Sequence, residues 1–191
     1  MKTFLSLSIL PIILLASCSA PAPAPEESAP AEPAAAAPAD PNRGTAEVQL
    51  GETLVVIDYG RPRLEGRDMI SQLQDGMVWR LGMNEATSIE SPADLAFGET
   101  VIPAGRHSLW ARKVASDDWR LIFNHSGEIW GTERNPEEDF AEVPLEVSEL
   151  PENVEQFTIE AGTADQETAE ILISWGTLRL RGTFSIAGGG M

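Results

Sequence analysis

The chain contains one cysteine, Cys18, and only two lysines, Lys2 and Lys113. A single cysteine excludes an internal disulfide, so the fold must depend on a hydrophobic core. No apolar run reaches the ~20 residues that a membrane-spanning helix requires. Lysine and arginine together number 13 against 30 acidic residues, which gives a formal charge of −17. An acidic surface of this kind repels phosphate groups, and it argues against a nucleic-acid partner.

The N-terminus has the form of a bacterial lipoprotein signal peptide. Lys2 supplies the positive charge, residues 4–15 form a short apolar stretch, and Ala16-Ser17 are the small residues that precede cleavage at Cys18. After cleavage, the Cys18 thiol is the expected acceptor of a diacylglyceryl group, and two or more acyl chains hold a protein stably on a bilayer. The alternative is an ordinary secreted product with a free thiol.

The predicted location follows from this processing. We expect residues 1–17 to be removed and the lipid on Cys18 to anchor the chain in the bacterial cell envelope. Ser19 does not provide the aspartate that retains lipoproteins in the inner membrane. In a bacterium with two membranes, the expected location is therefore the outer membrane, facing the periplasm.

A linker is predicted between the anchor and the folded domain. Residues 18–43 contain seven of the 14 prolines and ten alanines behind the lipidated cysteine, with few residues that could form a core. Such a segment is extended and disordered, at ~3.1 Å per residue where it is polyproline-like. Residues 44–188 have the composition of a single globular domain, large enough to bury about two-thirds of its unfolded surface.

Alternation of apolar and polar residues dominates the domain and predicts antiparallel strands that are buried on one face. The clearest apolar sets are Trp119, Leu121 and Phe123; Ala169, Ile171, Ile173 and Trp175; and Leu178, Leu180 and Phe184. Many short strands predict an all-β antiparallel sandwich, with a jelly roll as one form of it, and at most one short helix, near residues 68–74. Residues 168–176 and 177–186 are expected to form a hairpin around Gly176-Thr177.

The five tryptophans are expected to lie mostly in this core. Trp110 and Trp130 fall near predicted strand ends, where one or both could instead form a platform on which a sugar ring stacks.

Seven short stretches of the domain carry a shared pattern. They are Asp58-Tyr59-Gly60-Arg61-Pro62-Arg63, residues 78–87 (VWRLGMNEAT), residues 102–109 (IPAGRHSL), residues 119–124 (WRLIFN), Trp130-Gly131, residues 155–159 (EQFTI) and Ser174-Trp175-Gly176. Together these stretches resemble the domain-of-unknown-function family 2911, a group of uncharacterised bacterial secreted and lipid-anchored proteins. The resemblance covers essentially the whole domain and implies a fold and a location, but no reaction, substrate or catalytic residue.

The first two of these stretches hold four of the candidate ligand-binding residues, Arg61, Arg80, Asn84 and Glu85, and the fifth, Arg67, lies just beyond the first stretch. Arginine offers five donors, asparagine a donor and an acceptor, and glutamate a charged acceptor. If these side chains converge, they form a pocket for a small anionic or hydroxylated ligand. The alternative is purely structural, with Arg80 paired to Glu85 and Arg61 paired to Asp58 to hold the loops of the sandwich.

Catalytic signatures are weak. The chain has no Gly-rich phosphate loop, nucleophile elbow or zinc motif, and we expect neither a cofactor nor a metal. His107, His125 and Glu128 lack a firm further ligand for a metal site. The remaining enzymatic reading is an envelope hydrolase in which Glu85 and Asp58 act as an acid/base pair. The sequence therefore favours a membrane-tethered binding or structural module over an enzyme.

Overall fold

A computed structural model describes residues 40–188, and strands make up most of this part of the chain. The predicted signal peptide, Cys18 and nearly all of the predicted linker lie outside the described residues. The first strand starts at Arg43, where the linker was expected to end. The strands are β1 (Arg43–Leu50), β2 (Thr53–Gly60), β3 (Val78–Trp79), β4 (Ser88–Ser91), β5 (Leu95–Phe97), β6 (Thr100–Ile102), β7 (Gly105–Lys113), β8 (Trp119–Asn124), β9 (Asp139–Thr163) and β10 (Thr168–Ile186).

All strand pairs are antiparallel, and the order is β1-β2-β4-β7-β8-β9-β10-β5-β6, with β3 beside β7. Strand β9 is 25 residues long and belongs to both layers. Its first part, from Asp139 to Leu145, pairs with β8, whereas the part from Glu146 onward pairs with β10. The predicted all-β antiparallel sandwich is thus confirmed.

The core lies between the two layers, and the predicted alternation places it there. Trp119, Leu121 and Phe123 of β8 are almost fully buried, as are the four inward residues of β10 between Ala169 and Trp175. Trp79 stacks on Trp175 with ring centroids 5.8 Å apart. Across the layers, the Tyr59 hydroxyl donates to the Ile159 carbonyl oxygen at 3.0 Å. The buried aromatic rings therefore join both sheets.

Two local predictions are wrong. The expected hairpin at residues 168–186 is one continuous strand, β10, which pairs with β9 on both sides of Gly176. The register shifts around Gly176, whose φ is +62°, so this glycine forms a bulge and not a turn. Residues 68–74 form turns without a helix, because the Asp68 side chain accepts from the Ser71 backbone N–H at 3.1 Å.

Helical structure within residues 40–188 is limited to one 3-10 turn, Pro136–Glu138. No helix in this part of the chain has the length and apolar character needed to cross a bilayer.

Candidate functional site

A cleft of about 750 Å³ opens where the start of β1 meets the loop that follows β8. Strands β1, β2 and β7 contribute Arg43, Asp58 and Arg106, and the loop of residues 125–135 contributes one wall. The lining residues are Asp40, Arg43, Asp58, Glu85, Ala86, Arg106, Gly127, Glu128, Ile129, Trp130 and Glu133. A concave surface that combines an aromatic side chain with several polar groups has features expected of a candidate ligand-binding site.

Backbone hydrogen bonds fix the loop wall onto the segment that carries Glu85. The N–H of Ala86 donates to the Ile129 carbonyl oxygen at 2.9 Å, and the N–H of Gly131 donates to that of Asn84 at 2.7 Å. Glu85 and Trp130 form an isolated antiparallel bridge between these two bonds. The side chains of these two residues are therefore held in the same cleft by a short ladder.

Arg43 is the central cation of the cleft. Its guanidinium forms an ion pair with Asp58 and a second one with the Glu85 carboxylate, at 3.4 Å. It also donates to the Glu85 carbonyl oxygen at 3.2 Å. Burial lowers the pKa of Arg43 from its ordinary value, while the charges of Glu85 and Asp40 oppose that shift. One guanidinium fork thus ties β1 to β2 and to the Glu85 segment.

Arg106 of β7 supplies the second cation. Its Nη1 donates to Glu128 at 3.0 Å and its Nε donates to the Ser88 hydroxyl at 3.2 Å. Gly127 lies so close to the Arg106 backbone that a Cβ there would meet the Arg106 carbonyl oxygen at 2.6 Å. The loop consequently crosses the Arg106 backbone at a distance that only glycine permits.

Trp130 is the aromatic face of the cleft. Its side chain is among the large apolar ones that the fold leaves exposed, at 45% of its accessible surface. The other four tryptophans are buried. This outcome agrees with the expectation that most tryptophans belong to the core. Trp110 is no platform, because it is buried beneath the loop, with the Arg134 guanidinium 5.9 Å from its ring centroid.

Of the residues singled out in the sequence, Asp58 and Glu85 line this cleft. The expected structural pairs, Arg80 with Glu85 and Arg61 with Asp58, are wrong, because Arg43 pairs with both carboxylates. Arg43 was assigned to the end of the linker, so sequence reasoning did not consider it for the site.

The other predicted residues do not line the cleft. Arg67 is paired with Glu65 at 3.2 Å beside a different, smaller cavity of about 310 Å³. The Arg61 stem packs against Gly44, and its buried Nε has no hydrogen-bond partner. Arg80 is exposed and makes no ion pair within the described residues. Asn84 adopts a left-handed φ of 62°, and its backbone carbonyl oxygen accepts the hydrogen bond from the Gly131 N–H. The structure therefore does not assemble the predicted five-residue pocket.

Arg106, Glu128, Trp130 and Glu133 were missed as members of one site. Arg106 lies in a stretch that the sequence did single out, residues 102–109, but its partner Glu128 is 22 positions away. Glu133 belongs to an acidic run with Glu137, Glu138 and Asp139, a pattern that is typical of a solvated loop. No spacing in the sequence links these four residues, since the loop reaches the cleft only by pairing with the Glu85 segment.

The two histidines are occupied elsewhere. The Nε2 of His107 is hydrogen-bonded to the Pro103 carbonyl oxygen at 2.9 Å, and the exposed His125 stacks on Phe140. Within residues 40–188, no group of three or more histidine, cysteine or acidic side chains is arranged to hold a metal ion.

Comparison with protein-family models gives one match, to the family described as "Protein of unknown function (DUF2911)", over residues 41–184. Neither the curated proteins nor the solved structures contain a significant match. The family model covers all ten strands except the last two residues of β10, and it includes every cleft residue except Asp40. The chain therefore belongs to the DUF2911 family.

Proposed function

We propose that this protein is an envelope-anchored binding module that holds a small hydroxylated ligand in the cleft around Arg43. The observation that carries the proposal is Trp130, which stays 45% exposed next to a set of guanidinium and carboxylate groups. A large aromatic side chain gains from burial, and one left at the mouth of a polar cleft offers a flat face for a partner.

The chemistry of the cleft suits hydroxyl groups. Carboxylates accept hydrogen bonds and guanidiniums donate them, so a hydroxyl, which does both, matches either group. The indole of Trp130 offers its apolar face to the C–H side of a ring. The arginines support an anionic ligand less well than the sequence suggested, because Arg43 and Arg106 already contact Asp58, Glu85 and Glu128.

The anchor is the second part of the proposal. It rests on the signal-peptide pattern that ends in Leu15-Ala16-Ser17-Cys18 and on the proline-rich residues that follow. We place the domain on a tether at the envelope, in the outer membrane facing the periplasm where two membranes exist. Intact mass of the native protein tests this: diacylglyceryl modification adds the mass of the lipid, and Cys18→Ser removes it together with membrane association. A native protein with an unmodified thiol would contradict the anchor.

Binding is tested with the full-length protein in detergent, titrated with glucose and with N-acetylglucosamine by calorimetry. The expected result is saturable binding that weakens by about fivefold or more in Trp130→Ala and is largely kept in Trp130→Phe, which retains an aromatic face. Met77→Ala is the matched control, because Met77 is also exposed, at 45%, but lies outside the cleft. Equal binding by all variants would mean that the Trp130 face is not used.

A hydrolase remains the second candidate because Asp58 and Glu85 line the same open cleft. Both carboxylates, however, contact the same Arg43 guanidinium, which gives them a structural role that does not depend on catalysis. Chromogenic glycosides and esters distinguish the two functions. Turnover abolished by both Glu85→Gln and Asp58→Asn supports the hydrolase, whereas binding without turnover supports the module.

A further inference from the structure

The charges in the Arg43 cleft do not balance. Two arginines face five carboxylates, which leaves a formal charge of −3 among the lining residues. Both guanidiniums are already paired, Arg43 with Asp58 and Glu85, and Arg106 with Glu128. The two remaining carboxylates, Asp40 and Glu133, take part in no ion pair within residues 40–188. The excess is therefore negative, and no cation within residues 40–188 forms an ion pair with these two carboxylates.

Glu133 is held against the backbone of Trp130, and both residues line the cleft. Its N–H donates to the Trp130 carbonyl oxygen at 2.9 Å, and its carboxylate lies 3.4 Å from the Trp130 backbone nitrogen. The face of an indole carries negative electrostatic potential and attracts cations more strongly than the rings of tyrosine or phenylalanine do. An exposed tryptophan beside an unpaired carboxylate consequently favours a positively charged group at this point of the cleft.

Arg43 also lies within the negative electrostatic potential of the cleft carboxylates. Burial lowers the pKa of Arg43 from its ordinary value, while the nearby charges of Glu85 and Asp40 act in the opposite direction. A ligand anion would have to enter a cleft whose two cations are engaged and whose free groups repel it. A ligand cation would meet the indole and two carboxylates that accept backbone hydrogen bonds, from Asn42 and Trp130, and that form no ion pair within residues 40–188.

We propose that the ligand of the Arg43 cleft carries a protonated amine, held between the Trp130 face and the carboxylates of Glu133 and Asp40. The inference rests on the proposed function for the place of binding, and it adds the charge of the ligand. The ligand class is then an amine-bearing hydroxylated molecule, such as a sugar with a free amino group.

The test compares three rings that differ in charge and share most of their hydroxyls: glucosamine, glucose and glucuronate. Titrations use the full-length protein in detergent at about pH 6, where the amine is protonated. We expect glucosamine to bind about fivefold or more tightly than glucose, since a cation on an exposed indole and a surface ion pair each contribute up to about 1 kcal/mol. Glucuronate should bind most weakly, and added salt should reduce the preference for glucosamine.

Substitution locates the effect. Glu133→Gln should reduce the preference for glucosamine over glucose by about threefold, because the amide keeps a hydrogen-bonding oxygen but carries no negative charge. Glu137→Gln is the matched control: this exposed glutamate lies four residues further along the same acidic segment and outside the cleft. A preference that is equal in both variants would overturn the assignment to Glu133.

The outcomes separate the two proposals. Equal binding of the three rings, or tightest binding of glucuronate, overturns the amine and leaves the hydroxylated ligand in place. Binding of spermidine, which has amines and no hydroxyls, without binding of any ring overturns the hydroxylated ligand and keeps the amine. No binding of any of the four probes overturns both proposals.

Discussion

The substitution Gly60→Ala tests the close packing of the end of β2 against the turn at residues 81–84, which precedes Glu85. Gly60 ends β2, and a Cβ at this position would lie 2.7 Å from the Met83 nitrogen and 2.8 Å from its carbonyl carbon, with the carbonyl oxygen closer still. Ordinary contact starts at 3.4 Å, so the backbone of the turn at residues 81–84 would have to move. That turn carries Leu81, which is fully buried, and leads directly into Glu85.

The magnitude follows from these contacts. Overpacking against rigid backbone costs about 1–3 kcal/mol, and partial withdrawal of Leu81 from the core adds to that cost, so we expect a loss of about 3 kcal/mol in the free energy of unfolding. For a domain of this size, the loss corresponds to a fall in Tm of about 6–12 °C. Thermal and urea unfolding of the full-length protein measure both quantities.

Gly162→Ala is the matched control for Gly60→Ala. Gly162 lies in β9, and a Cβ there would meet no atom within 4 Å. Its φ is not in the left-handed region. We expect a change within about 0.5 kcal/mol of the parent protein. If both alanines had the same effect, or if Gly60→Ala were neutral, the close packing of β2 on the 81–84 turn would be refuted.

Three further predictions concern charge and backbone conformation. Arg43→Ala should lower the free energy of unfolding by about 2 kcal/mol, because it leaves Asp58 and Glu85 without their shared cation. Arg43→Lys should lower it by less, since the positive charge is kept. A double-mutant cycle with Asp58→Asn measures the coupling between Arg43 and Asp58. Hydrogen bonds from Ser126 and Asn135 lower the pKa of Glu138 below its ordinary value of 4.5. The ionised Glu138 carboxylate therefore stabilises the folded domain above that pH, and this stabilisation is lost as the pH falls through the lowered pKa. The stability difference between the parent and Glu138→Gln should accordingly shrink below about pH 4.5, and a pH-independent difference would contradict this. Gly176→Ala should cost about 1 kcal/mol by chemical denaturation, because φ is +62° at the β10 bulge; a neutral result would show that the bulge tolerates a side chain.

The class of fold could be predicted from the chain because the core residues recur with the period of a strand. Trp119, Leu121 and Phe123 are buried as that period requires, and so are Ile171 and Ile173. The bend at Gly176 could not be predicted in the same way. A glycine followed by a threonine between two apolar runs suits a tight turn and a bulge equally well, and only the pairing partner, β9, distinguishes them.

The sequence predicted only part of the candidate site. Asp58 and Glu85 were identified, whereas their partner Arg43 was not, because an arginine that follows a proline-rich segment carries no local sign of pairing. The directions of Arg80 and Asn84 depend on the turn between them, in which Leu81 and Asn84 both have positive φ. Non-glycine residues rarely adopt that conformation, so sequence patterns do not anticipate it. The distant loop that brings Trp130 to the cleft depends on tertiary contacts alone.

The double membership of β9 has a consequence for how the domain opens. One stretch of this strand is hydrogen-bonded to β8 and the next stretch to β10. To release either layer, the hydrogen bonds between β9 and β8 or those between β9 and β10 must break, and both sets belong to one continuous strand. Partial unfolding that frees one layer and preserves the other is therefore disfavoured. Amide exchange at both ends of β9 should proceed through the same global event, at one shared free energy, and the domain should melt in a single cooperative step.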